Sequence, residues 1–217
     1  MTFYTQAQRK LQDEFESRQL ADALEGAIIE DSINESQAAF ITSRDFFFLS
    51  SVTAAGEPTV SYKGGDVGTV RVVDSQTLAF PAYDGNGMFL SLGNIAETAK
   101  IGLLFIDFET PNRLRVQATA RLHTDDELLA HYPGALAVVR ARVDKVFVNC
   151  ARYIHKHTRT ETSRYVPDAK GQQPYATWKR IDGMQEHLRP ADQGRAAESG
   201  GVITQEQYTE ALAQGES

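Results

Sequence analysis

The chain has 217 residues, 41% of them hydrophobic and 24% charged, enough for one domain with an ample core plus arms. Its formal net charge of −7 argues against a nucleic-acid surface. The single cysteine, Cys150, rules out an intramolecular disulfide and argues against a cysteine-based zinc site. No apolar run approaches the ~20 residues of a membrane span. The N-terminal residues Arg9, Lys10, Asp13, Glu14 and Glu16 lack the apolar core of a secretory signal. The expected compartment is the cytoplasm, with no membrane and no nucleic acid as partner.

Taken in order, residues 3 to 25 carry a helical stripe of Phe3, Ala7, Leu11, Phe15, Leu20 and Leu24 with charges between. A second helix is expected near 34 to 41, capped by Asn34. Such an arm could pack on its own domain or on a partner subunit, and the sequence leaves both open.

The β-rich body begins at Asp45. Phe46 to Thr53 reads as a strand, residues 54 to 58 as a turn, and Thr59 to Lys63 as the returning strand. Phe46, Phe47 and Phe48 cannot all face inward on one strand, so some must pack elsewhere. Val67 to Val73 and Thr77 to Pro81 are the next two strands.

The stretch Leu78 to Phe105 reads as strand, tight turn, helix and strand. Its turn, Tyr83-Asp84-Gly85-Asn86-Gly87, holds an Asn-Gly pair that tolerates positive φ. Met88, Phe89, Leu92, Ile95 and Ala96 then fall on one helical face. A glycine-rich turn feeding a helix N-terminus leaves backbone N–H groups that can hold an anion such as a phosphate, although an ordinary strand-to-helix connection reads the same way. Ile101 to Phe108 is an apolar strand, followed by Arg113 to His123, a short helix over Thr124 to His131, and a long strand from Ala135 to Asn149. Six or seven short strands with antiparallel turn lengths and one inserted helix fit a small barrel, whose closure removes exposed edges.

After Asn149 the chain turns basic, with aromatic and apolar residues interleaved through Cys150 to Arg159. Cys150 is expected to be a buried free cysteine. His155 and His157 are two apart without a visible third metal ligand, so no metal site is assigned. A last helix is expected over Gln207 to Ala213.

Four ordered pieces, FFFLSSVTAAGEPTVSYKGG, LAFPAYDGNGMFLSLGNIAETAKIGLLFIDF, RLRVQATARL and VFVNCARYIHK, carry a resemblance from about Asp45 to about Ile154. Over that span the chain resembles the pyridoxamine 5′-phosphate oxidase-like family of FMN-binding split barrels, in a branch distinct from the vitamin B6 enzyme proper. The resemblance implies a mainly β fold, a six-stranded antiparallel split barrel with flanking helices. It implies an N-terminal helical arm over 1–44, the FMN-binding barrel over 45–158 and a C-terminal extension over 159–217 packing on the barrel or on a partner subunit. It also implies a homodimer with FMN at the subunit interface.

By the same match, Ser61 and Lys63 are phosphate or ribityl candidates, and Gly85, Asn86 and Gly87 form the phosphate-side turn. Phe80 and Pro81 line the isoalloxazine. Asn86 and Gly87 stand where the vitamin B6 oxidase places a basic pair, a departure that moves the burden to Lys63 and the turn N–H groups. Arg113 stands where a glutamine contacts the ring system, so that a cation near the pyrimidine edge would stabilise the anionic reduced flavin. Asn149 and Arg152 complete the cofactor-binding set, Arg152 as a second phosphate candidate through a bidentate contact. The oxidase's substrate-phosphate cluster is not matched on Thr124 to Val138. Trp178, Lys179 and Arg180 only loosely echo its terminal tryptophan and arginine. The implied function is therefore an FMN-dependent oxidoreductase acting on a small molecule other than pyridoxine phosphate, with no general acid or base standing out. The alternatives are a non-catalytic flavin or haem/tetrapyrrole-binding barrel, or a deazaflavin-dependent reductase.

Overall fold

The structure, a computed structural model, describes residues 3–216. Its strands are β1 (Ile29–Glu30), β2 (Phe46–Val52), β3 (Pro58–Gly64), β4 (Arg71–Asp74), β5 (Thr77–Ala82), β6 (Lys100–Asp107), β7 (Asn112–His123) and β8 (Ala137–Val148). They form one antiparallel sheet in the order β3-β2-β6-β7-β8-β5-β4, with β1 paired to β8. Period-two alternation sorts each strand into an inward apolar set and an outward set. In β7, Leu114, Val116, Ala118 and Ala120 are buried while Arg113, Arg115 and Gln117 face out.

β2 and β5 stand second from opposite ends of the sheet, yet the rings of Phe47 and Phe80 meet edge to face at 5.1 Å. The sheet is therefore rolled around a shared core in which Phe47, Phe80, Phe105, Leu49, Leu78 and Leu114 are almost fully buried. Burying each such side chain contributes about 1.5–3 kcal/mol. Among the described residues no ladder joins β3 to β4, so closure is by side-chain packing and the barrel is split. β2, β3 and β5 to β8 make the six-stranded antiparallel split barrel, and the two-residue β1 and four-residue β4 are short additions.

Three sequence expectations shift. The helical stripe over 3 to 25 is two helices, α1 (Gln6–Glu14) and α2 (Arg18–Ile28), because Glu16 takes a φ of 53° that no helix continues through. Asp22 and Glu25 both bind Arg9 across the resulting hairpin. β4 starts at Arg71 rather than Val67, because Thr69 N–H closes a turn onto Asp66 at 2.9 Å around Gly68, whose φ is +80°. The short helix after β7 is a 3-10 turn over Glu127–His131, capped by Asp126 and not by Thr124.

The N-terminal arm packs on its own barrel. Phe3 sets its ring against Phe147 of β8 at 5.5 Å, β1 extends the sheet, and α3 (Glu35–Thr42) drives Ile41 into the core with no exposure. Asn34 caps α3 in a full capping box, as its sequence requires. The remaining helix of this part is α4 (Leu90–Thr98).

The chain divides into two compact units, one ending at Glu161 and the other beginning at Thr162. The second holds α5 (Arg195–Glu198) and α6 (Gln205–Ala213), with short 3-10 turns between Thr177 and Asp192. Its centre is Asp192, buried with Lys179 Nζ at 3.0 Å and Arg189 at 2.9 Å. Burial alone would raise the Asp192 carboxyl, but hydrogen bonds from Lys179 and Arg189 outweigh it and hold the pKa below its ordinary value. Among the described residues no helix is long and apolar enough to cross a membrane.

Candidate functional site

β3 is an edge strand, and its register against β2 decides which side chains point where. Lys63 lies opposite Phe47, Ser61 opposite Leu49 and Thr59 opposite Ser51. Residues directly opposite in an antiparallel pair share a face, so Lys63, Ser61 and Thr59 point to the barrel side. Val60 and Tyr62 point out, 69% and 62% exposed.

α4 covers this inner edge and is fastened to it by hydroxyls. Asn94 Nδ2 donates to Ser51 Oγ at 3.0 Å, and Ser51 Oγ lies 3.0 Å from Thr59 Oγ1. In the first turn of α4, Ser91 Oγ meets Ser61 Oγ at 3.2 Å. Asn94 and Ser91 are both buried. Lys63 follows Ser61 by two residues on the same face and is half-buried. Among the described residues its ammonium has no carboxylate partner and no hydrogen bond. Burial pulls its ammonium below the ordinary lysine value, with no anion to offset the effect.

The approach to α4 is set by the Asn-Gly turn. Met88 N–H donates to Asn86 Oδ1 at 3.1 Å, and Gly87 has a φ of +78°. Phe89 then takes the left-handed φ of 51° at the N-cap and offers no side-chain cap. The first-turn N–H groups are thus left without a capping side chain, whereas α1, α3 and α6 each carry a capping box. The sequence placed Met88 and Phe89 on the helix's apolar face. The helix instead begins at Leu90, and Met88 and Phe89 lie in the turn, 62% and 48% exposed, because the Asn86 side chain holds the chain in a local bend.

Phe80 fills the core against Phe47 and is 1% exposed, so position 80 can meet a ligand through its backbone only. Pro81 is half-buried on the opposite face of β5, and Gly85, Asn86 and Gly87 are exposed in the turn.

The remaining candidates gather on the other face. Arg113 lies opposite Ile106, in the outward set with Leu104 and Phe48, and Arg115 follows on the same face. Asn149, Cys150 and Arg152 come directly after β8 ends at Val148. Arg152 N–H donates to Cys150 Sγ at 3.4 Å. That contact and the Arg152 side chain draw the thiol below its ordinary value, with Arg113 adding to the effect. Cys150 is exposed and not buried as expected, because the chain leaves the barrel at that point. Arg113 Nε and Asn149 Oδ1 are buried without a hydrogen-bond partner.

The structure therefore sorts the candidates into two groups. Ser61 and Lys63 lie on the inner face beside α4 and the turn that leads into it. Arg113, Asn149 and Arg152 lie on the outer side. β2 and β6 separate β3 from β7, a span of roughly 14 Å at ~4.8 Å per strand. Sequence reading missed Ser91 and Asn94. Their signal was the i, i+3 spacing of two polar residues on the buried face of an otherwise apolar helix. His155 and His157 are exposed, and the His157 ring rests on Phe108 at 5.1 Å.

The family model described as Pyridoxamine 5′-phosphate oxidase matches residues 33–150. The chain belongs to the pyridoxamine 5′-phosphate oxidase family. The oxidase match spans α3 to the end of β8 and holds every candidate above except Arg152. Among solved structures, HupZ of Group A Streptococcus is 19% identical, with 58% of this chain and 99% of that chain covered and a TM-score of 0.45. A putative pyridoxamine 5′-phosphate oxidase from Lactobacillus delbrueckii is 27% identical, covering 54% and 95%, with a TM-score of 0.45. An FMN-binding protein from Syntrophomonas wolfei is 11% identical, covering 64% and 97%, with a TM-score of 0.43. No protein of curated function matches the sequence.

Proposed function

We propose that this oxidase-family protein binds flavin mononucleotide and acts as an oxidoreductase on a small molecule, as a homodimer with the flavin at the subunit interface. The observation that carries the reading is Lys63, a barrel-facing cation with no carboxylate beside it, next to paired hydroxyls and an uncapped helix start. A half-buried ammonium without a counter-ion is costly to keep, and a bound phosphate removes that cost. The residues present fit the group. Lys63, Ser61, Ser91 and the first-turn N–H groups of α4 would hold the phosphate. Pro81 and the Gly85 to Gly87 turn would flank the flavin, and Arg113 would face its pyrimidine edge.

Lys63 and Arg113 lie on opposite faces of one sheet, which supports a site shared between two chains, each giving its inner edge to one flavin and its outer arginine to the other. The outer face of β2, β3 and β6 supports the same arrangement, since Phe46, Phe48, Tyr62 and Phe108 form an aromatic cluster there with Val60 exposed beside it. The flavin, when bound, supplies the hydride chemistry; the protein supplies binding, orientation and charge.

The test is the absorption spectrum of the purified protein together with a titration of flavin-free protein by FMN, read by fluorescence quenching. A yellow chromophore, or saturable quenching with about one FMN per chain, is expected. Colourless protein that fails to quench FMN sinks the reading. Parallel titrations with haem and a deazaflavin decide between it and its two alternatives.

A further inference from the structure

The outer group contains more positive charge than the proposed flavin needs. Arg9, Arg18, Arg44, Arg140, Arg142 and Arg159 each have a carboxylate partner. Arg113, Arg115 and Arg152 have none among the described residues, as is also true of Arg71, Arg121, Arg164 and Arg180; what sets the first group apart is the buried, unsatisfied polar atoms beside it. Arg113 and Arg115 share the outward face of β7; the pairing of Leu114 with Val148 brings Arg113 alongside the start of the Asn149–Arg152 segment, where the Arg152 N–H donates to Cys150 Sγ. Like charges gathered without counter-ions repel one another, and Arg113 Nε is also buried without an acceptor. Asn149 Oδ1 is buried beside them in the same condition; turning its amide over presents an NH2 donor to that space.

We infer that Arg152 and Arg113, with Asn149, form a pocket for a carboxylate or phosphate group of the substrate, so that the substrate class is a small organic anion. The inference rests on the flavin reading above. It follows from the division of faces: the flavin phosphate is provided for by Lys63, Ser61, Ser91 and α4 on the inner side. Arg113 meets the pyrimidine edge of the ring, and Arg152 beside it is left to fix an anion next to the reacting part of the flavin. A guanidinium suits that role because its planar fork meets either oxyanion in a bidentate contact.

Cys150 is the only thiol in the chain, so its alkylation reports on this pocket without any turnover. The probes are iodoacetate, which is anionic, and iodoacetamide, its neutral counterpart, applied to FMN-free and FMN-loaded protein. One nearby guanidinium raises the local concentration of a monoanion roughly threefold. The expected ratio of iodoacetate to iodoacetamide rates is thus at least threefold above that of a free thiol at the same pH. Inorganic phosphate protects Cys150 saturably, in both FMN states. Arg152→Gln and Arg113→Gln each lower the ratio, whereas Arg142→Gln, which removes an exposed cation paired with Asp144, leaves it unchanged. Equal ratios for Cys150 and a free thiol, or no phosphate protection, overturn the pocket. Protection by FMN with nothing added by phosphate also overturns it, since the arginines then serve the flavin alone. If FMN fails to quench, the flavin reading falls and the assignment to a flavin substrate falls with it, while the FMN-free arm still decides whether an anion pocket exists.

Discussion

On the proposed reading, Lys63 trades stability for binding. Burial lowers its pKa in the folded protein below the ordinary 10.5. Between the lowered value and 10.5 the unfolded chain keeps the proton that the folded chain has lost, so the stability of flavin-free protein rises with pH across that window. Below the lowered value the cost of the buried charge is present in full. Phosphate binding needs the charged form, so flavin affinity falls as pH rises through the same lowered value. Lys63→Met is expected to stabilise flavin-free protein in urea at neutral pH and to flatten this part of its pH dependence. It is also expected to weaken FMN binding about tenfold or more, the worth of a charge-assisted hydrogen bond. Loss of stability together with unchanged FMN affinity would show that Lys63 is an ordinary edge-strand residue.

At the scale of elements, the α4–β2–β3 junction is held by a hydroxyl and amide ladder instead of apolar packing alone. Asn94 is buried and is the only described donor from α4 to Ser51. Asn94→Ala leaves Ser51 with Thr59 and leaves α4 tied to β2, among the described residues, only through Thr98 Oγ1, which donates to the Val52 carbonyl at 2.9 Å, with an expected cost of about 1–3 kcal/mol in urea denaturation. Because Ser91 lies in the same helix, FMN affinity falls with it. A variant that loses stability and keeps full affinity would separate α4 from the cofactor site. The strained start of α4 is the part of this junction that periodicity could not show. The pattern of Met88, Phe89, Leu92 and Ile95 is helical, but the Asn86 side chain and the left-handed Phe89 hold the first two outside the helix.

For the whole molecule, the two candidate groups lie on opposite faces of one rolled sheet, and the outer face carries an aromatic cluster that a single chain leaves partly exposed. Phe48 sits in that cluster, against Phe46 and Tyr62. Phe48→Glu is expected to convert a dimer to a monomer in light scattering after gel filtration and to abolish FMN binding together with dimerisation. Phe15→Glu, on the 73% exposed tip after α1, is expected to leave both intact. A wild-type protein that is monomeric at high concentration yet holds FMN would overturn the shared-site arrangement.

The sequence determined the strands and their antiparallel turns, because alternation along β2, β7 and β8 and the turn residues between them are local properties, while their order in the sheet came from the tertiary structure. It determined the cap of α3, where Asn34 lies three residues before its glutamine, whereas α6 starts at Gln205, two residues earlier than expected, because Thr204 caps it. It also carried the family, through four pieces that lie within or beside the matched span. What it could not determine depends on contacts distant in the chain. The meeting of Phe47 with Phe80 closes the barrel, and the meeting of Ser61 with Ser91 builds the inner group. The exposure of Cys150 follows from where β8 runs out. Register decided the rest: pairing Lys63 with Phe47 turns it inward, pairing Arg113 with Ile106 turns it outward, and a shift of one residue in either ladder would reverse that choice.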